Sequence, residues 1–128
     1  MDENLRLPDA ELFIMKIIWR QGEGVTSAQI MEEIGNQRKW ALTTVLNFLA
    51  RLVDKRFVSV IKSGKINIYT AVVDEDKYLE KESRSFLKRM HGGSFTGLIA
   101  SLYDGDTISD KDLAELRNYI DEKAGEAK

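Results

Sequence analysis

The sequence contains no cysteine. Disulfide frameworks, thiolate zinc sites and cysteine nucleophiles are therefore excluded together. A single histidine, His91, leaves too few imidazoles for most histidine-based metal sites or for a histidine-dependent relay. No apolar run is longer than a few residues, which is too short to span a bilayer. The chain starts Met1-Asp2-Glu3-Asn4, acidic and polar and unlike a signal peptide, so a cytoplasmic location without membrane insertion is expected. There is no glycine-rich phosphate loop, no nucleophile motif and no paired-carboxylate arrangement. An enzyme is thus the least expected class, and no cofactor or metal is expected. Asp104, Asp106, Asp110 and Asp112 lack the distal glutamate of a calcium loop and read as turn and cap chemistry.

What remains is a chain of 128 residues, 43% hydrophobic and 31% charged, long enough to bury a core without staples. Its net charge of −2 argues, taken alone, against a nucleic-acid partner. The charge is unevenly spread. Residues 1–73 carry 10 basic and 8 acidic side chains, whereas residues 74–128 carry 9 basic and 13 acidic ones. Between positions 38 and 65 stand Arg38, Lys39, Arg51, Lys55, Arg56, Lys62 and Lys65, with Asp54 as the single acid, a local net charge of +6. A phosphate backbone meets the local field, and the whole-chain total conceals it.

The pattern around this window predicts three helices and a hairpin. Pro8 stands at the first helical position, with acids in the first turn, for a helix over 9–20. Its apolar residues (Leu12, Phe13, Met15, Ile17, Ile18, Trp19) occupy most sides, so it is well buried. Val25 can make a one- or two-residue strand contact. Thr26-Ser27-Ala28-Gln29 fits a capping box for a short second helix with Ile30 and Ile34 on one face, stopped by Gly35-Asn36. The third helix runs from about Ala41 to Lys55. Val45, Phe48, Leu49 and Leu52 form its core face, while Thr43, Asn47, Ala50, Arg51 and Asp54 point away, with Thr44 and Leu46 on opposite flanks. Phe57 to Ile61 and Ile66 to Val73 then read as strands around a Lys62-Ser63-Gly64-Lys65 turn that carries a lysine on each side.

This order makes the chain mainly α: a winged helix-turn-helix of three helices and a two- or three-stranded wing over 1–73, followed by an α-helical dimerisation domain over 74–128. The basic window falls on the third helix and the hairpin tip, which in this architecture meet the major groove and the DNA backbone. A winged-helix protein–protein module and a ligand-sensing regulator of another winged-helix type remain open as alternatives. Downstream, helices are predicted over 77–90, over 96–103 and after a Ser109-to-Asp112 capping box, with fraying from Ala124. Their apolar stripes need covering. A second copy of the chain is preferred over folding back, because a two-fold dimer matches a palindromic site.

Five segments in order resemble one family. They are Leu7-Pro8-Asp9-Ala10-Glu11-Leu12; Arg38-Lys39-Trp40 leading into Thr43-Thr44-Val45; Arg51-Leu52-Val53-Asp54-Lys55 followed by Phe57-Val58; His91-Gly92-Gly93-Ser94 with Leu98-Ile99; and Ile108-Ser109 through Glu115-Leu116. Together they are similar to the BlaI/MecI family of penicillinase repressors over nearly the whole chain. The resemblance implies a homodimeric bacterial transcriptional repressor on a palindromic DNA operator, released when a membrane sensor protease triggers cleavage in the dimerisation domain. It places Thr43, Thr44 and Asn47 at base-contacting positions. It makes Arg38, Lys39, Trp40, Arg51, Lys62 and Lys65 candidates for the DNA backbone, although Trp40 also suits a core plug. Phe95, Leu98, Ile99, Leu102, Leu113, Leu116 and Ile120 become candidates for the dimer interface. The cleavage region falls at Ser101 and Leu102, in place of the family's Asn-Phe pair. Two further departures stand out. Leu46 replaces an arginine that reads bases, so a different operator sequence is expected, and Arg56 stands where the family often has glycine. The copper-responsive branch carries a C-terminal cysteine cluster, and the lack of cysteine excludes thiolate copper sensing here.

Overall fold

The computed structural model describes residues 6–126. The acidic start at residues 1–4 and the final two positions of the tail lie outside the described residues. Elements follow in the order α1 (Asp9–Gln21), α2 (Ser27–Ile34), α3 (Leu42–Asp54), β1 (Val58–Ser63), β2 (Ile66–Ala71), α4 (Glu75–His91), α5 (Phe95–Asp104) and α6 (Asp110–Glu126). Pro8 takes the N-cap position of α1 instead of the first helical position expected for it, and its carbonyl accepts the Leu12 N–H. The Thr26 capping box forms as read: Thr26 Oγ1 accepts from Gln29 N–H, and the Gln29 side chain accepts from Thr26 N–H. Gly35 ends α2 at a positive φ of 53°, a conformation glycine adopts without steric cost. The capping box before α6 also forms, Ser109 and Asp112 each accepting the other's backbone N–H. Helix α6 continues past Ala124, where fraying was expected, to Glu126.

The chain divides into two compact units, Met1–Glu82 and Ser83–Lys128. The division falls inside α4 because Tyr78, in the first turn of that helix, is buried in the first unit's core. Its ring packs edge-on against Phe57, and its hydroxyl accepts the Leu7 N–H at 2.9 Å. Burial pushes its phenol above the ordinary tyrosine range.

The core of the first unit gathers Ile14, Met15, Ile17 and Ile18 of α1, Ile30 and Ile34 of α2, and Val45, Leu49 and Leu52 of α3. Each such side chain contributes about 1.5–3 kcal/mol when fully buried. Trp19, read as core, is half-buried and donates its indole N–H to the Val73 carbonyl at 2.8 Å. The sheet has two antiparallel strands, in register from Val58 opposite Ala71 to Ser63 opposite Ile66. Val25 adds a single-residue third strand, exchanging both backbone hydrogen bonds with Tyr69 at 2.9 and 2.7 Å. Gly24 makes that approach possible, since a Cβ there would stand 2.4 Å from the Ile68 Cγ2 methyl.

Glu11 stands in the first turn of α1, as the acids there were read, and it has a second role that the sequence did not show. It is 2% exposed and forms an ion pair with Lys55 at the end of α3. Lys55→Met leaves that carboxylate buried without its partner. Such a variant should lose about 3 kcal/mol of stability in urea denaturation, the low end for a broken buried pair because Lys55 keeps some solvent access. The double variant Glu11→Leu/Lys55→Met should recover most of the loss, since no buried charge remains. Arg56 adopts a φ of 65°, in the left-handed region where a side chain is strained. Arg56→Gly is therefore expected to raise stability by about 1 kcal/mol in the same assay.

Candidate nucleic-acid interface

Helix α3 offers two faces of opposite character. Val45, Leu49 and Leu52 have no exposed surface. Thr43, Asn47, Ala50, Arg51 and Asp54 are exposed, and Thr44 is half-buried on one flank. No side chain caps the helix at Ala41, and no acid stands in its first turn. The positive end of the helix is thus left for an anion to approach.

The wing tip is a two-residue loop, Gly64-Lys65, between the paired Ser63 and Ile66. Gly64 has φ 66° while Lys65 keeps negative φ, the pattern of a type II′ hairpin turn. Lys62 and Lys65 are exposed at this tip. Among the described residues, the side chains of Lys39, Arg51, Lys62 and Lys65 make no ion pair, so their charge is available to a partner. Lys55 belongs to the same basic stretch in sequence, but its charge is taken up by Glu11. The field presented outward is smaller than the count of residues suggests.

Arg38 and Trp40 behave differently from the lysines. Trp40 is half-buried and packs edge-on between Phe13 at 5.6 Å and Phe48 at 5.1 Å. It serves as the core plug that the sequence allowed, with its ring turned to the aromatic cluster that seats the start of α3. Phe48, expected in the core, is half-buried in the same cluster. The Arg38 guanidinium lies 4.5 Å from the centre of the Phe13 ring and 5.8 Å from that of Trp40, and donates to the Gln37 carbonyl at 3.0 Å. These contacts restrain the arginine beside the first turn of α3 while leaving its residue exposed.

Sequence reasoning missed two features of this surface. Leu42, nominally on the inner side of α3, is 48% exposed at the first position of the helix. Leu46 lies in the crevice between α3 and the wing. Two concavities, of about 230 and 400 Å³, open around it and share Asn67 and Tyr69 of β2 in their walls.

In the second unit no residue of α5 or α6 is buried. Phe95 and Ile120 are about half exposed, while Leu98, Ile99, Leu102, Leu113 and Leu116 are half-buried. Ser101 is exposed within α5, its carbonyl accepting the Gly105 N–H. Among the described residues no group of three His, Asp or Glu side chains is placed to hold a metal ion.

Comparison with known proteins agrees with this architecture. The family model described as "Penicillinase repressor" matches residues 7–122. The methicillin resistance regulatory protein MecI of Mammaliicoccus sciuri is 30% identical over 122 residues, which cover 95% of this chain and 98% of MecI. The solution structure of the DNA-binding domain of the repressor BlaI superposes with a TM-score of 0.53 at 29% identity, covering 61% of this chain and 94% of that domain. A solution structure of monomeric Bacillus licheniformis BlaI in complex with the blaP half-operator matches with a TM-score of 0.50 at 29% identity, covering 59% of this chain and 92% of that one. With the model spanning both units, the chain belongs to the penicillinase repressor (BlaI/MecI) family of winged-helix transcriptional repressors.

Proposed function

We propose that this protein is a homodimeric bacterial repressor that binds a palindromic operator through α3 and the wing. The carrying observation is that Lys39, Arg51, Lys62 and Lys65, exposed and without an ion pair among the described residues, stand before and on α3 and at the wing tip, the two places where a winged helix meets a duplex. The solved complex of monomeric BlaI with the blaP half-operator supports operator DNA as the partner. In this reading Thr43, Thr44 and Asn47 face base edges. Asparagine suits adenine, and threonine suits a thymine methyl or a base-edge hydrogen bond. Arg38, Lys39, Arg51, Lys62 and Lys65 contact phosphates and fix the register. Trp40 acts from behind, by seating the helix that reads.

The second unit is the dimerisation domain. Helices α5 and α6 bury no residue fully, and their apolar residues Phe95, Leu98, Ile99, Leu102, Leu113, Leu116 and Ile120, half-buried to exposed, support a second copy as the partner that completes their cover. Each protomer then supplies one half-site, and the dimer multiplies two weak contacts into useful affinity. Release by a membrane sensor protease cutting at Ser101-Leu102 requires the last turns of α5 to open first, because that bond lies within regular helix. The protein acts in the cytoplasm, where its operator is.

Binding to duplex from the promoter beside its own gene, followed over a salt series, tests the reading. Lys62→Ala and Lys65→Ala should weaken binding to all sequences and lower the slope of log affinity against log salt by about one each. Asn47→Ala should relax sequence preference and leave the slope unchanged. The opposite pattern would exchange the roles of helix and wing. Light scattering should give the mass of a dimer at micromolar concentration, and a monomer there would refute the assigned interface.

A further inference from the structure

Two leucines stand where a reading helix is expected to be polar. Leu42 is 48% exposed and Leu46 36%, whereas Val45 and Leu49, between and beyond them, have no exposed surface. Spaced four residues apart, Leu42 and Leu46 lie on one side of the first two turns of α3. The wing carries two exposed apolar residues near this helix, Val60 at 40% and Ile66 at 54%, which alternate onto opposite faces of the hairpin. Leu46 and Ile66 share the wall of one concavity, and Leu46 and Val60 that of the other. Scattered exposed leucines need no explanation, but these two form a short apolar strip along one side of the first two turns of α3, beside polar and cationic surface.

The charge around the strip indicates its occupant. Lys65 and Asn67 line the same crevice as Leu46, and Lys62, Arg51 and Lys39 are exposed nearby in the basic stretch, with Asp54 as its single acid. A protein partner chosen for its apolar face has no need of that surplus. A duplex matches it, and a duplex offers one apolar group in its major groove, the 5-methyl of thymine. We propose that Leu42 and Leu46 read thymine methyl groups, so that this repressor selects its half-site partly by apolar contact. The inference rests on the operator-binding reading above and names two specificity residues within it. Leucine has no donor for guanine O6 or N7, so these positions discriminate by fit against the methyl and by excluding water.

The test separates this inference from the one it rests on. The full chain is used to enrich duplexes from a random-sequence pool, and the enriched duplex is resynthesised with each thymine replaced singly by deoxyuridine. This change removes the methyl and keeps the base pairing. At one or two thymines in each half-site it should weaken binding about fourfold, the value of one buried methyl-sized group. Leu42→Ala or Leu46→Ala should then bind the thymine and uridine duplexes equally at one of those positions. Both leucines are exposed, so the variants keep their fold, which circular dichroism checks. A Kd unchanged by uridine at every thymine overturns the inference, as does a loss that persists in full in both variants. If both variants keep the methyl sensitivity but associate more weakly in light scattering, the strip is a protein-binding face and the inference falls. No enrichment at all removes operator binding itself, and this inference with it.

Discussion

The fixing of α3 from behind is the constraint on which everything else depends. Its inner face is closed by Val45, Leu49 and Leu52 against α1 and α2. Its start is seated by Trp40 between Phe13 and Phe48, and its end is joined to α1 by the Glu11–Lys55 ion pair. A helix held at start, middle and end presents its outer side chains in one geometry, and sequence reading requires that, because a hydrogen bond to a base edge weakens steeply with misalignment. The exposed ion pairs Lys16–Glu75 and Arg20–Glu33 add little to this, since solvent and salt screen them.

The same helix carries both tasks of the first unit, so its composition is a compromise. The inner face requires branched apolar residues, and the outer face requires short polar ones with a cation. Leu42 and Leu46 fit neither list. Both are exposed beside the buried Val45 and Leu49, so core packing does not demand them. Gly24 shows the reverse case. Its lack of a side chain serves a backbone approach of Val25 to Tyr69, which ties the wing's base to the loop before α2.

The second unit is built differently. Its helices are properly capped, at Ser94 and Ser109, yet α5 and α6 bury none of their residues. Local signals therefore suffice to form the helices, while their apolar stripes are only partly covered within one chain. Cap chemistry acts within a few residues, whereas covering a stripe takes a surface from elsewhere. This separation of helix formation from packing is what a dimerisation element needs.

Much of the fold was legible in the residues themselves. The capping boxes at Thr26 and Ser109, the positive-φ glycines at 35 and 64 and the change of apolar period after Lys55 are short-range signals, and short-range physics decides them. The outward face of α3 was legible for the same reason, since helical periodicity assigns Thr43, Asn47 and Arg51 to one side. Three things were decided only by tertiary structure. Glu11 and Lys55 are far apart in sequence, and only the crossing of α1 and α3 makes a buried pair of what looked like a first-turn acid and a surface cation. Trp40 became a support because two phenylalanines from different helices meet it. Leu46 lies on the flank that periodicity gives it, and the concavities it lines exist because the wing folds back beside α3. Sequence determined which residues could face outward. Packing between elements distant along the chain decided which of them are free to meet a partner, because burial depends on neighbours that periodicity does not name.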